Sequence, residues 1–376
     1  MHLDTEDSQR LLEALGRFAR ERIAPMAAQP HQPIDRRQLA LLTQEAGAMG
    51  ILSLSTTESG FGLWEHCDTA PAMAFNTGAL RHIAAASPGV AFAWHRQALA
   101  RWVAVQLGQT LEADDLAGLQ LVPAGHYGLA RGSLARWLRV GALETEDQTM
   151  LADWLDRRTH TTTLYAPEDW KLLLWPVWVG KQVAWQWVHR PALSVRAEKA
   201  QHGLDELAGF SVSLAGEGTA IAMAPETSRI LFAHMFTLDM LGLLAIGAGA
   251  LDHGQGLARA YAAIRRQGGS AIAAHPAVQH MLSDIDIARH RIDMALAAFA
   301  QPVDALHAGA VAAARAHIAP ALCHAANQVM QVHGGIGYMR DAGPEKLVRD
   351  QNMLKLASGG TRDLHAFLAG WTGTCA

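Results

Sequence analysis

The 376-residue sequence is poor in cysteine and in charged residues. Its three cysteines, Cys67, Cys323 and Cys375, are odd in number and far apart, which excludes a disulfide framework and a zinc cluster. Charged residues make up 18% of the chain, below the ~25% typical of soluble proteins, whereas apolar residues make up 50%. We therefore expect two or three domains that bury a large core, or a core together with subunit interfaces.

The sequence also lacks the signatures of several other classes of protein. The 31 basic and 35 acidic residues give a net charge of −4 without any long Lys/Arg run, so a nucleic-acid-binding signature is missing. The longest uncharged apolar run, residues 240–251, is shorter than the ~20 residues that cross a bilayer. The first residues are acidic, whereas a signal peptide begins with basic residues. These features predict a cytoplasmic protein without a membrane span.

The periodicity of apolar residues divides the chain into three parts. Helical spacing occurs near the N-terminus and again after Pro225, and Ser87-Pro88 has the sequence of a helix N-cap followed by a first-turn proline. In the middle, residues 183–187 alternate as in a strand. This order predicts an α+β fold with an N-terminal α-helical domain (1–115), a central β-domain (116–218) and a C-terminal helical bundle (219–376).

One predicted strand contains a proline. Residues 172–179 have the apolar and aromatic composition of a strand, and Pro176 lies in the middle of them. Proline has no N–H group to donate to a neighbouring strand. This strand is therefore predicted at an edge of its sheet.

The most informative segment, residues 331–338, ends a long predicted helix at a glycine pair. Gly334 and Gly335 expose backbone N–H groups without an obstructing Cβ, so a phosphate or a ribose can approach closely. The glycine spacing and the preceding helix differ from the dinucleotide fingerprint of a Rossmann fold. A glycine pair alone more often serves only to end a helix. Its meaning therefore depends on the surrounding sequence.

Several segments together resemble the acyl-CoA dehydrogenase family. They are residues 18–25, 58–63, 265–269, 331–338 and 345–350. The first two resemble the family's first helix and a glycine-rich turn, the third its Arg-x-Gln-Phe-Gly motif, and the last two its C-terminal signature. The resemblance implies the family's fold, in which an N-terminal helical domain and a central β-domain precede a C-terminal four-helix bundle.

The same resemblance implies an FAD site. In the family, the Arg and Gln of the Arg-x-Gln-Phe-Gly motif and the Gln and glycines of the C-terminal signature hold the ADP part of FAD. The matching positions are Arg265, Gln267, Gln331, Gly334 and Gly335. That FAD belongs mainly to the neighbouring subunit, so the resemblance implies a homodimer or tetramer. The Phe of the motif is Gly268 here, which removes one packing contact with the cofactor.

The catalytic base of the family is less clear in this sequence. Most members remove the α-proton of an acyl thioester with a Glu near the C-terminus, and Ser358 occupies that position here. A neutral hydroxyl does not abstract such a weakly acidic proton. In a minority of members the base lies on the long helix after the β-domain, where Asp239 is the matching residue. The alternative for Asp239 is a structural carboxylate paired with Arg or His.

The family's flavin-facing loop should match residues 121–126, which keep only its proline and one glycine. His280 and Asp284 are spaced to offer two metal ligands, but no Glu-x-x-His pair accompanies them, so no metal site is predicted.

The sequence therefore predicts a flavoprotein that uses FAD to oxidise the α,β-bond of an acyl thioester, carried by CoA or by an acyl carrier protein. An electron-transfer flavoprotein or a similar acceptor would receive the electrons. Two alternatives stay open. One is a non-catalytic subunit that supports a paralogous subunit of a heteromeric dehydrogenase, and the other is a flavin monooxygenase or oxidase on the same fold.

Overall fold

The computed structural model describes residues 5–58, 60–122, 132–141, 143–156, 158–198, 201–216 and 220–372. Its helices are α1 (Thr5–Phe18), α2 (Ala24–Met26), α3 (Arg36–Ala48), α4 (Ala70–Ala86), α5 (Pro88–Gln106), α6 (Ala113–Ala117), α7 (Ser133–Val140), α8 (Thr145–Trp154), α9 (Pro225–Ile264), α10 (Pro276–Ala298), α11 (Ala308–Val332), α12 (Pro344–Leu356) and α13 (Thr361–Thr372). Its strands are β1 (Leu119–Leu121), β2 (Thr162–Ala166), β3 (Leu172–Val179), β4 (Gln182–His189), β5 (Leu193–Ala197), β6 (Ala208–Leu214), β7 (Ala220–Ile221), β8 (Arg266–Gln267) and β9 (Ser270–Ala271). Cys375 and most of the predicted flavin-facing loop, residues 123–126, lie outside the described residues.

Side-chain caps determine where two of the N-terminal helices begin. Asp35 Oδ1 accepts hydrogen bonds from the backbone N–H groups of Arg37 and Gln38, at 2.8 and 2.9 Å. The Gln38 side chain accepts one in return from the N–H of Asp35, which completes a capping box. At α5, the Ser87 hydroxyl accepts from the N–H of Val90 at 3.3 Å, so the predicted N-cap is confirmed.

Replacing Asp35 with alanine is expected to lower the free energy of unfolding by about 1 kcal/mol, because the first turn of α3 loses its acceptor. Gln38→Ala removes only the returning hydrogen bond and is expected to have a smaller effect. Urea unfolding followed by circular dichroism measures both variants. An Asp35→Ala protein as stable as the parent would contradict the assigned cap.

The central part contains two sheets, with strand orders β1-β3-β4-β7 and β2-β6-β5. β1 runs parallel to β3, and the other pairs in these two sheets are antiparallel. Trp170, Trp175 and Phe210 belong to a hydrophobic core that takes residues from both sheets. This core is separate from the main one, which fills the helical parts of the chain.

The prediction that β3 is an edge strand is wrong. β3 pairs with β4 along its full length and with β1 through residues 172–174. Pro176 lies beyond the last residue that pairs with β1, so its missing N–H group does not interrupt that ladder. A proline therefore fits this inner strand because its neighbour covers only the first part of it.

Two helices that the sequence analysis did not predict lie between β1 and β2. Ser133 on α7 donates a hydrogen bond to Asp147 on α8 at 2.6 Å, which joins the two helices. The ring of Trp137 lies 5.8 Å from that of Phe232 on α9, measured between centroids. The segment interpreted as the β-domain thus includes a helical element that packs on the C-terminal helices.

The C-terminal part is built around α9. By length and composition α9 could cross a membrane, but 83% of its most apolar stretch is buried inside the protein, so it is a core helix. Gly249 allows α4 to approach closely, because a Cβ there would lie 2.1 Å from the backbone oxygen of Arg81. A small residue is therefore required where α4 and α9 cross.

Ion pairs attach the central part to α12. Lys346 lies 3.1 Å from Glu206 and 2.7 Å from Asp350, and all three side chains are largely buried. Arg349 lies 2.6 Å from Asp205. The charged residues of the segment 345–350 therefore join domains and do not line the cavity described below.

Candidate functional site

A cavity of about 330 Å³ lies where the three parts of the chain meet. One wall comes from α5, a second from β1 and β2, and a third from α12, the start of α13 and the turn between them. The lining residues are Phe92, Arg96, Leu121, Val122, Thr163, Leu164, Tyr165, Met353, Leu356, Ala357, Ser358, Gly360 and Asp363. Its size is within the range of ~300–1,000 Å³ that is usual for small-molecule sites.

Arg96 supplies a positive charge to the cavity wall. It lies one helical turn after Phe92, and its guanidinium carbon is 5.0 Å from the centroid of the Phe92 ring. Arg96 is only 4% exposed, and it donates a hydrogen bond to the Ser358 hydroxyl at 2.9 Å. A nearly dehydrated guanidinium therefore faces a largely apolar space.

Ser358 lies on a tight turn between α12 and α13. Its φ of 53° and the φ of 98° at Gly359 are both in the left-handed region, which is unusual for a serine. Arg315 stabilises the turn by donating hydrogen bonds to the backbone oxygens of Leu354, at 2.9 Å, and of Ala357. The turn brings Ser358 to the cavity, so the position that resembles the family's Glu is at the site but carries no carboxylate.

Asp239 lies behind this wall and is fully buried. Its carboxylate oxygen Oδ1 is 3.2 Å from a guanidinium nitrogen of Arg96 and 3.0 Å from His95 Nε2. Burial raises the pKa of the Asp239 carboxyl, but the charge of Arg96 and the hydrogen bond from His95 outweigh burial and bring the pKa to about 2. Asp239 does not line the cavity. The assignment of Asp239 as the base stays a prediction, and these contacts favour an internal ion pair.

His95 is neutral in this arrangement. The indole N–H of Trp64 donates to His95 Nδ1 at 2.9 Å, so the proton of the ring is on Nε2, which donates to Asp239. Burial lowers the pKa of His95 and outweighs the raising effect of Asp239. The positive charge that balances Asp239 therefore comes from Arg96.

A second buried arginine lies close to this pair. Arg315 is 1% exposed, and burial lowers its pKa to about 10, so it remains charged at neutral pH. Arg96, Arg315 and Asp239 together carry a net positive charge. Asp363 on the cavity wall brings the sum of the four charges to zero, so the group suited to stabilise negative charge in the cavity is the Arg96 guanidinium itself.

The five residues predicted to hold the ADP part of FAD do not line this cavity. They lie at and beyond the C-terminal ends of α9 and α11. The C-terminal ends of α9 and α11 meet where the Tyr261 and His333 rings stack, with centroids 4.6 Å apart. This contact brings the loop that starts at Arg265 near the turn at Gly334. Tyr261 follows Asp239 by 22 residues on the same helix, which is about 33 Å at ~1.5 Å per residue. The predicted ADP site therefore lies toward the opposite end of α9 from Asp239 and the cavity wall in front of it.

The local geometry at that end fits a bound diphosphate. Arg265, Gln267 and Gln331 are exposed. Gly334 has a φ of 60°, and a Cβ added at Gly334 or at Gly335 would have no neighbour within 4 Å. Open backbone beside a guanidinium and two amide side chains is the donor set that a pyrophosphate and a ribose require.

Sequence reasoning missed the two charged residues of the cavity wall, Arg96 and Asp363. Arg96 is charged within the otherwise apolar face of a buried helix, which is a signal that the sequence does contain. Asp363 follows Ser358 by five residues and lies in the first turn of α13, where an acidic residue resembles an ordinary helix cap. Only the turn at Ser358 and Gly359 brings both regions to one cavity.

The C-terminal part of the chain is similar to a known protein family. Residues 232–367 match the C-terminal domain of acyl-CoA dehydrogenases. The chain is 30% identical over 131 residues to the probable acyl-CoA dehydrogenase YngJ of Bacillus subtilis, which is 33% of this chain and 34% of the relative. It is 35% identical over 133 residues to the 3-sulfinopropanoyl-CoA desulfinase of Paraburkholderia xenovorans, 34% of this chain and 32% of the relative. The matched stretch thus spans about a third of each curated relative.

The fold extends the likeness to the whole chain. The structure of a glutaryl-CoA dehydrogenase from Mycobacterium smegmatis superposes with a TM-score of 0.76, over 100% of this chain and 96% of that one, at 16% identity. The predicted helix–sheet–helix architecture is therefore confirmed, and at this level of identity the superposition bears on the fold alone.

Proposed function

We propose that this chain, which belongs to the acyl-CoA dehydrogenase family, binds FAD and oxidises the α,β-bond of an acyl thioester. The cavity at Arg96 and Ser358 is the observation that carries the proposal. Its wall is largely apolar, as an acyl chain requires, and it holds a buried positive charge. The acyl group is carried by CoA or by an acyl carrier protein, and an electron-transfer flavoprotein is the proposed electron acceptor.

The ADP part of FAD would be held by Arg265, Gln267, Gln331, Gly334 and Gly335. Because these residues lie toward the opposite end of α9 from the cavity wall of their own chain, we propose that the FAD that they hold serves the cavity of a second copy. Exposed apolar side chains lie beside them, with Ile264 78% and Ile336 51% exposed, as expected for a surface that a second copy covers. We therefore propose a homodimer, or a tetramer made of two such dimers.

In the reaction, the residues of the cavity orient the acyl group. Loss of the α-proton places negative charge on the thioester oxygen, and the Arg96 guanidinium stabilises that charge. FAD, when bound, supplies the acceptor for the hydride that leaves the β-carbon. We assign Asp239 the role of a positioning residue, because its carboxylate holds Arg96, which in turn holds Ser358.

The visible absorption spectrum of the purified protein tests this function. We expect a flavin spectrum with FAD equimolar to the chain, which bleaches anaerobically on addition of a suitable acyl thioester, with butyryl-CoA and glutaryl-CoA as first probes. A protein that stays colourless after dialysis against FAD would contradict the proposal and favour a supporting subunit with a paralogous partner. Oxygen consumption with a hydroxylated product would instead favour a monooxygenase.

A further inference from the structure

Asp363 is a carboxylate that lines the cavity, and it differs from Asp239 in its access to a ligand. Asp239 is fully buried behind Arg96, whereas Asp363 is half-buried and forms part of the cavity surface together with Ser358 and Gly360. Asp363 follows Ser358 by five residues, on the far side of the turn. A carboxylate therefore reaches the cavity from the same segment that lacks one at Ser358.

The other ionisable groups on the cavity wall are poor proton acceptors. Arg96 is a cation that is already paired with Asp239. Burial raises the pKa of the Tyr165 hydroxyl, which keeps it protonated near neutral pH. Among the described residues that line the cavity, Asp363 is the one carboxylate.

We propose that Asp363 is the base that takes the α-proton of the acyl thioester, and this rests on the proposed function. The Cα–H bond breaks, and the proton goes to the Asp363 carboxylate, which becomes a neutral carboxylic acid. The electron pair of that bond forms the Cα=Cβ double bond while the β-hydride leaves to the flavin. The protonated Asp363 afterwards returns its proton to water. Charge on the thioester oxygen is balanced by Arg96, so the same cavity holds both the acceptor of the proton and the stabiliser of the anion.

Asp363 also has a structural role, and the test must separate the two roles. Its Oδ2 accepts a hydrogen bond from the backbone N–H of Gly360 at 3.2 Å, which caps the first turn of α13. Asparagine has a side-chain oxygen of the same reach that can accept this hydrogen bond from the residue before the helix, but it is not a base. Asp363→Asn therefore keeps the cap and removes the proton acceptor.

The experiment measures exchange of the α-protons of butyryl-CoA and glutaryl-CoA in D₂O by mass spectrometry, using the FAD-loaded protein. We expect Asp363→Asn to slow the exchange by about 10²- to 10⁴-fold with an unchanged FAD content, so that the loss reports the proton acceptor and not loss of the cofactor. Asp363→Glu should restore part of the rate. Asp304→Asn, at a carboxylate with an 86% exposed side chain, is the matched control and should exchange like the parent.

The outcomes distinguish failure of the base assignment from failure of the proposed function. A parent protein that exchanges, with Asp363→Asn exchanging at the same rate, would overturn the base assignment and leave the proposed function intact. A parent protein that carries FAD but exchanges neither thioester would contradict the function proposed for the cavity, and the base assignment with it. If Asp363→Asn does not fold, Asp363→Ser, which also retains a capping oxygen, replaces it in the same comparison.

Discussion

Asp239→Asn is expected to lower the free energy of unfolding by about 3–5 kcal/mol, because it leaves the Arg96 guanidinium buried without its counter-charge. Asparagine has the same shape as aspartate, so the loss reports the charge and not the packing. A base that acts on substrate would behave differently, since its loss lowers turnover while stability hardly changes. Chemical denaturation of the parent and the variant measures the difference.

Two matched variants make this result specific to the ion pair. Asp153→Asn removes a carboxylate that is 72% exposed and pairs with His160, and it should cost no more than about 1 kcal/mol. Adding Arg96→Met to Asp239→Asn removes the unpaired charge as well, so the double variant should be more stable than Asp239→Asn alone. An Asp239→Asn protein that is as stable as the parent but inactive would contradict the positioning role.

The same pair predicts a dependence on pH in acid. The pKa of Asp239 is about 2 in the folded protein, below the ~3.9 of an unfolded chain, so the unfolded chain binds the proton more readily. The stabilisation is complete above pH ~4 and is lost as the pH falls through about 2, with a size of about 2–3 kcal/mol. Asp239→Asn should lack this part of the acid dependence.

Arg265→Glu and Gly335→Asp are each expected to weaken FAD binding by about 10- to 100-fold, because a charged hydrogen bond is lost and a negative charge faces the pyrophosphate. At Gly335 an added side chain meets open space, so the protein should fold as before. Titration of the protein with FAD, followed by flavin fluorescence, gives the affinity. Arg266→Glu makes the same change of charge one residue further on and serves as the control. Parent-like affinity in both variants would contradict the assigned ADP site.

The sequence predicted the order of helices and sheets because periodicity and the motifs near both ends depend on local composition. It did not predict the helices α7 and α8, which are short and are held by contacts such as that between Trp137 and Phe232. The prediction that β3 lies at an edge of its sheet was wrong for a related reason. Which strand lies beside Pro176 depends on the pairing of distant segments, and a local rule about proline does not contain that information.

At the candidate site, the roles of the residues named from the sequence stay predictions, and the structure shows where each of them lies. Gln331, Gly334 and Gly335 lie at the surface near Arg265, whereas Val332 and His333 between them are buried. Asp239 was chosen as the candidate base from its position along α9. Its access to the cavity depends on a different helix, because Arg96 of α5 lies between Asp239 and the cavity. Asp363 could not be recognised from its neighbours, because the turn at Ser358 and Gly359 decides where it points.

The central claim is that each FAD is shared between two copies of the chain, and the FAD content of mixed dimers tests it most directly. One copy carries Arg265→Glu with Gly335→Asp, the other carries Thr163→Trp to fill the cavity, and two different affinity tags isolate the mixed species. Each variant alone should be colourless. The mixed dimer should contain half the FAD of the parent, because one cavity and one ADP site remain intact on opposite chains. A mixed dimer without FAD, formed from two folded variants, would show that both parts of the site belong to one chain and would contradict the account.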